Sequence, residues 1–374
     1  MNLRAAGSLT RPIGQAVPVT PLLHLVSPSE WRAALADGAI HPTVAEFVHL
    51  SAPEQVAVAA NGHYAGRTDL YLLVLDPARI PVEVRWEESE PPMRFPHAYG
   101  PVPTTAVLDV LPYPPGPDGI FVTPTLPALD PSARAARLTR SIVRRAATAA
   151  VPVTGGVALR TAPVPYSYQH NALFLDAPVD AATVVADADR ALVGLDHRAA
   201  ALYGDALGDT AVRLGRRGWS VDAQAGMIAR PGGSPTGRVE LVDLAAVRPL
   251  WNADWRRAGL PEAAVAQLSD RYALEEQVAD LRYLAVRFGG AVVAAAVLKI
   301  DGATAGLDAV GTDPGHRGRG HGDALVTDAL ALAAAAGCDV VGLDASIDDW
   351  PRNWYARRGF AETSRSWFAF DATR

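Results

Sequence analysis

Val310-Gly311-Thr312-Asp313-Pro314-Gly315-His316-Arg317-Gly318-Arg319-Gly320-His321-Gly322-Asp323-Ala324-Leu325 decides the fold of the last third of the chain. An apolar run, Gly306 to Thr312, leads into it, and an Ala- and Leu-rich run to Ala336 leads out. That order predicts a short strand, a glycine-rich turn and a helix that Gly337 ends. Gly318, Gly320 and Gly322 let the backbone turn tightly and approach a ligand closely. A helix starting behind such a turn presents unpaired N–H groups and the positive end of its dipole. Together these suit an anion, and a pyrophosphate above all. Arg317 and Arg319 add charge and bidentate donors for phosphate oxygens. The Lys-Ser/Thr of a Walker A loop is missing, no Gly-x-Gly-x-x-Gly frame fits, and no acidic residue stands well placed about 20 residues on. The plain alternative is an ordinary strand-to-helix turn.

Working outward, Leu281 to Phe288 and Ala291 to Ile300 read as strands joined by a Gly289-Gly290 hairpin. Cys338 to Asp344 reads as an apolar strand, and Asp348 to Arg358 as a short helix ended by Gly359. Strand, turn, helix, strand, helix is an α/β arrangement.

Two motifs carry a resemblance. Arg317-Gly318-Arg319-Gly320-His321-Gly322, approached through Val310-x-Thr312-x-Pro314, matches the Arg/Gln-x-x-Gly-x-Gly/Ala signature of the GNAT family of N-acetyltransferases. Trp354-Tyr355-Ala356-Arg357-Arg358-Gly359-Phe360 matches its closing Tyr-x-x-x-Gly-Phe. The region from about Arg238 to Phe370 therefore resembles a GNAT domain. The resemblance implies direct acyl transfer from acetyl-CoA to an amine. The backbone from Val310 to Thr312 would pair with the pantetheine arm. The turn comprising Arg317, Gly318, Arg319, Gly320, His321 and Gly322 would hold the pyrophosphate. Tyr355 would protonate the departing thiolate, as a phenol of ordinary pKa near 10 can, and a backbone N–H near Val310 would stabilise the oxyanion. Relatives often carry an Asn six residues before this Tyr; Asp349 stands there, with Asn353 nearby but offset. The general base has several candidates. Asp308 precedes the loop and faces an acceptor on one reading; Glu240, Glu275 and Glu276 are others, and each has a solvated or capping reading as well. Trp251 and Trp255 either stack on a substrate or pack.

The middle of the chain, about Ala133 to Gly233, is rich in Ala, Val, Leu and Arg and closes on Pro231-Gly232-Gly233-Ser234-Pro235. Asn171 to Leu175 reads as a strand, and Ala181 to Val193 and Thr210 to Arg217 as helices. With Arg217-Gly218-Trp219 and then Met227, this stretch resembles the degenerate first half of tandem GNAT proteins. No phosphate turn appears in it, and Tyr168, His170 and Asn171 read as structural.

The front block, about Pro21 to Thr125, holds five of the nine histidines: His24, His41, His49, His63 and His97. Ser27-Pro28-Ser29-Glu30 reads as a capping box for a helix that Gly38 ends, and Ser51-Ala52-Pro53-Glu54 repeats that start signal for a helix to about Asn61. Asp69 to Asp76 and Val82 to Trp86 read as strands. His24-Leu25, Phe47-Val48-His49-Leu50-Ser51, Asp76-Pro77 and Phe95-Pro96-His97-Ala98-Tyr99-Gly100-Pro101 resemble, in order, the DUF952 family. That resemblance implies an ADP-ribosyltransferase-like fold and an NAD-like ligand near His24 and His49. No two of the histidines have i, i+4 spacing on a helix, so the pattern offers no ready metal site. His24, His49 and His97 read either as acid/base residues or as satisfied core residues.

The 374 residues suggest two or three domains. The expected order is a small α+β domain at 21–122, a Pro-rich linker at 123–140, a degenerate GNAT-like half at 141–234 and a GNAT domain at 235–374. Seven prolines from Pro112 to Pro131 support the linker. A net charge of −6 argues against a nucleic-acid footprint and weakly favours cationic acceptors. The single cysteine, Cys338, excludes a disulfide framework and suits a reducing cytoplasm. No apolar run is long enough for a membrane span, and the first 20 residues show no signal peptide. Lys299 is the only lysine among 34 basic residues, a GC-rich codon bias of actinobacterial flavour. The leading expectation is an acetyl-CoA-dependent N-acetyltransferase acting on a small or protein amine. The alternatives are ADP-ribosyl transfer from NAD in the front domain, or a non-catalytic acetyl-CoA sensor. The oligomeric state and acyl length are open.

Overall fold

A computed structural model of the chain describes residues 20–43, 45–90 and 93–372. All but one of the positions behind the signal-peptide reading lie outside the described residues.

The front domain contains β1 (Leu22–Val26), α1 (Pro28–Asp37), β2 (Ala39–Ile40), β3 (Val48–His49), α2 (Val56–His63), β4 (Tyr71–Leu75), β5 (Val84–Glu90), β6 (Met93–Ala98), β7 (Val102–Pro103) and β8 (Val107–Pro112). β1, β4 and β8 form an antiparallel sheet with β4 in the middle, which is why all five residues of β4 are buried. β3, β6 and β5 form a second small sheet. The Ser27 capping box is formed: Glu30 N donates to Ser27 Oγ at 3.2 Å and Ser27 N to Glu30 Oε2 at 2.6 Å. Such a cap stabilises a helix by about 1 kcal/mol. Gly38 ends α1 in the left-handed conformation, φ +77°. The second start signal is not used as expected. The backbone of Ser51 is taken by Leu23 in a β-bridge, and α2 begins five residues later.

The middle and C-terminal parts share one sheet. The middle part supplies α3 (Pro131–Ala146), β9 (Ala149–Val153), β10 (Gly156–Arg160), β11 (Leu173–Leu175), α4 (Ala181–Ala191), β12 (Arg198–Tyr203), α5 (Gly208–Arg216) and β13 (Ser220–Ala229). The C-terminal part supplies β14 (Glu240–Val242), α6 (Leu244–Arg257), α7 (Glu262–Glu275), β15 (Asp280–Phe288), β16 (Ala291–Asp301), β17 (Thr304–Thr312), α8 (His321–Ala335), β18 (Val340–Ser346), α9 (Pro351–Ala356) and β19 (Ala361–Asp371). The strand order is β14-β15-β16-β17-β18-β13-β19-β12-β11-β10-β9. β13 thus lies between β18 and β19, and β19 pairs with β12 on its other side. The Pro-Gly-Gly-Ser-Pro break falls between strands of a single hydrogen-bonded sheet.

The stretch expected as a spacer, 123–140, is helical from Pro131 on. Asp130 accepts from the N–H groups of Ser132 and Ala133, Pro131 takes the first helical position, and Leu138, Ile142 and Val143 are buried. Seven prolines conceal a well-capped amphipathic helix. α3 packs across β17 and β18: Cβ atoms at Gly306 and Gly342 would meet Leu138 and Ala135 at 2.9 and 2.8 Å.

The β16–β17 hairpin tip joins the front domain to the rest. Ala303 N donates to Val107 O at 2.8 Å, and a Cβ at Gly302 would clash with that same carbonyl. Buried Asp301 accepts from Trp31 Nε1 at 3.0 Å and pairs with Arg145 of α3. Arg134 reaches Asp339 at 2.7 Å and Thr304 at 2.9 Å.

Candidate active site

β17 and β18 run parallel and pair only from Thr304–Val340 to Gly306–Gly342. Beyond that point they splay, and a cavity of about 410 Å³ opens between Leu307–Val310 on one side and Leu343–Ser346 on the other. A bulge lies on the cavity edge of β17. Ala309 and Val310 together oppose Ala296 alone, since Asp308 pairs with Val297 and Gly311 with Ala295. Ala309 has φ +52°, the only non-glycine with positive φ among the described residues. Such strain persists only where the surroundings enforce it.

The glycine turn follows Thr312 after a short 3₁₀ turn. Gly318 (φ +74°) and Gly320 (φ +73°) take conformations that a side chain would strain. Gly320 is the N-cap of α8 and brings no side chain, so the N–H groups of His321, Gly322 and Asp323 have no side-chain cap. This is a helix N-terminus without a side-chain cap, a place that suits an anion. Arg317 and Arg319 flank it, both exposed. Arg317 Nε donates to Thr312 O at 3.2 Å, and the Arg319 guanidinium lies 5.6 Å from the Phe288 ring centre. His321 points inward: its ring is buried and Nδ1 lies 3.1 Å from Arg238. Burial, and then the Arg238 charge, lower its pKa, so the ring is neutral and its contribution to the turn is its backbone. Arg238 also donates to the carbonyls of Arg319 and Gly320 at 3.2 and 3.4 Å. This clamp arrives from a distant segment.

α9 brings Tyr355 to the cavity. Tyr355 is 9 % exposed, its ring packed edge-on against Trp354 and Phe360 at 4.8 and 5.7 Å, and its hydroxyl has no hydrogen-bond partner among the described residues. Burial, and then the Asp308 charge, push the phenol above its usual range. Gly322 makes room for the Trp354 ring, which a Cβ there would approach to 3.2 Å.

Asp308 lines the cavity but is not a free carboxylate. Lys299 Nζ lies 2.9 Å from it and 2.7 Å from Glu275 Oε2, while Glu275 Oε1 lies 3.2 Å from His170 Nε2. Lys299, Glu275 and His170 are at most 1 % exposed. Four segments thus meet in one charge chain beneath the cleft. Burial alone would raise the Asp308 carboxyl, but Lys299 and Arg271 outweigh it and hold it below its usual range. The other carboxylates considered stand elsewhere: Glu276 accepts from Tyr283, and Glu240 pairs with Arg287 at the surface. Asp349 accepts from Trp350 N. Trp251 packs against Tyr272, a core role, while Trp255 sits partly buried at the rim of that cluster.

A residue passed over in the sequence faces Asp308 across the cavity. Asp344 on β18 is open to solvent, yet protein surrounds it as a group on a cleft wall. Desolvation by the protein of the cleft wall around it, and then the Asp308 charge, raise its carboxyl to about 6. The available signal was its place at the carboxyl end of an apolar parallel strand, where α/β sheets bind ligands.

The family model described as "Acetyltransferase (GNAT) family" matches residues 244–360, and that described as "Protein of unknown function (DUF952)" matches residues 25–110. The chain carries a DUF952 domain and a GNAT acetyltransferase domain. The GNAT match takes in the bulge, the glycine turn, Asp344 and Tyr355, and supports a general acyltransferase function for that stretch. The DUF952 match takes in His49 and His97. Similar solved structures include a Caulobacter crescentus protein, 30 % identical, covering 28 % of this chain and 94 % of that one, with a TM-score of 0.26. A GCN5-related N-acetyltransferase from Kribbella flavida is 19 % identical over 63 % of this chain and 95 % of that one, TM-score 0.45. A functionally unknown conserved protein from Staphylococcus epidermidis is 11 % identical over 59 % and 92 %, TM-score 0.49. No curated protein matches the chain. Among the described residues no helix is long and apolar enough to cross a membrane, and no group of three or more His, Cys, Asp or Glu is arranged to hold a metal.

Proposed function

We propose that the GNAT domain transfers an acetyl group from acetyl-CoA directly to an amine, with Tyr355 as general acid. The observation that carries this reading is the splayed edge of β17, which leads from the cavity holding Tyr355 to an uncapped helix N-terminus. In this reading the backbone of Val310 and Thr312 pairs with the pantetheine arm. Arg317, Gly318, Arg319, Gly320 and the first turn at His321 and Gly322 hold the pyrophosphate. The amine nitrogen bonds to the thioester carbon, the C–S bond breaks with its electron pair going to sulfur, Tyr355 delivers a proton there, and the proton that the new amide nitrogen sheds restores the phenol. A phenol kept protonated by burial suits that task. Asp344, with its pKa raised toward neutrality, takes the proton that the ammonium group must lose. Asp308, kept ionised by Lys299, draws the cationic amine in. Ala135, Leu138 and Thr139 of α3 wall the cavity, which favours a small amine over a protein chain. A reducing cytoplasm suits the buried, unpaired Cys338.

The test is thiol release from acetyl-CoA by the full chain with a panel of small primary amines. Turnover with at least one of them is expected, lowered about 10²-fold in Tyr355→Phe while acetyl-CoA affinity is kept. Acetyl-CoA binding with no amine acetylated would leave a non-catalytic sensor instead.

A further inference from the structure

A second cavity, about 540 Å³, opens in the DUF952 domain between α1, β1, β3 and α2. That is the size of an ordinary small-molecule site. One wall is a set of three rings. Phe47 stacks on His97 at 4.0 Å and 16°, and His49 stands edge-on to both, at 4.9 and 5.2 Å. Such a wall suits a flat aromatic ligand. His24 supplies the polar contact. Its Nδ1 lies 2.6 Å from the His49 carbonyl, which can only accept, so Nδ1 carries the proton. Burial lowers the His24 pKa to about 4, opposed in part by that hydrogen bond, so the neutral form holds at pH 7. Nε2 is then a bare acceptor without a partner among the described residues, on a ring that lines the cavity. No lysine or arginine is among the described lining residues; the carboxylates there are Glu30 and Asp37. A phosphate would meet those two carboxylates and no guanidinium or ammonium group among the described lining residues. A ring N–H or amino group would meet what it needs.

We propose that this cavity binds a planar nitrogen heteroaromatic with N–H donors and no phosphate, of the nucleobase or nucleoside class, stacked on Phe47 and donating to His24. The proposal is independent of the GNAT site and separates the cavity from a dinucleotide site, whose diphosphate it would repel.

The test is calorimetric titration of the full chain with adenosine and guanosine, each beside its 5′-monophosphate. Full-length Gly320→Glu, His24→Phe and Phe47→Ala are measured alongside. Saturable binding of a nucleoside is expected, about tenfold weaker for its monophosphate. Binding should weaken about tenfold in His24→Phe, which keeps a ring but removes the acceptor, and in Phe47→Ala, which removes the stack. It should be unchanged in Gly320→Glu, which excludes the glycine turn as the place bound. If His24→Phe does not fold, Phe47→Ala decides. No saturable binding of either nucleoside, a monophosphate bound as tightly, or binding that survives the pocket variants would overturn the proposal.

Discussion

The two cavities of this chain are opposites. The GNAT cleft ends in a helix N-terminus flanked by Arg317 and Arg319, and its walls carry Asp308 and Asp344 above a buried cation, Lys299. The DUF952 cavity carries rings, the His24 acceptor and two carboxylates, with no Lys or Arg among its described lining. On the two proposals above, one would hold a phosphorylated carrier beside a cationic amine and the other a flat uncharged ring. The difference teaches that a histidine-rich pocket and a glycine-rich turn, both suggestive of nucleotides in sequence, ask for different parts of such ligands.

The comparison breaks first if the charge chain under the GNAT cleft is dispensable. Lys299→Met leaves Glu275 buried without its cation and should cost about 3–5 kcal/mol in urea unfolding. The double variant Lys299→Met/Glu275→Leu should recover most of that loss, because the uncompensated charge goes with it. Next, Asp344 sharpens the contrast between a held carboxylate and a free one. A base whose pKa lies near 6 is protonated below that pH and cannot accept, so kcat/KM for amine acetylation should fall about tenfold per pH unit below 6. Asp344→Asn should remove that limb and lower the rate about 10²-fold. The smallest effect tests packing alone. Gly322→Ala brings a methyl within 3.2 Å of Trp354 and should cost about 1 kcal/mol, read as a lower Tm, with nucleoside binding in the DUF952 cavity untouched.

The glycine turn was legible because its chemistry is backbone chemistry: φ at Gly318 and Gly320, and the helix start behind them, are local to contiguous residues. The Ser27 box was legible for the same reason. Ser51 opens the same Ser-x-x-Glu spacing, but its backbone pairs with Leu23, 28 positions earlier, and a non-local partner overrode the local signal. α3 was hidden by composition, since prolines at its front door read as a spacer while Asp130 caps it. The insertion of β13 between β18 and β19 leaves no local mark at all. Neither does the chain His170–Glu275–Lys299–Asp308, drawn from four segments, nor the Arg238 clamp on the glycine turn. Asp344 was within reach as a polar residue at a strand end, but only the splay of β17 from β18 turns that position into a wall of the site.

The most direct measurement is calorimetric titration of the full chain and of Gly320→Glu with acetyl-CoA. The variant forces a side chain into φ +73° and sets a carboxylate at the helix start. One saturable site in the wild type, lost in the variant, is the predicted result. No binding, or binding unchanged in Gly320→Glu, would contradict the assignment of the glycine turn and with it the acetyl-transfer reading.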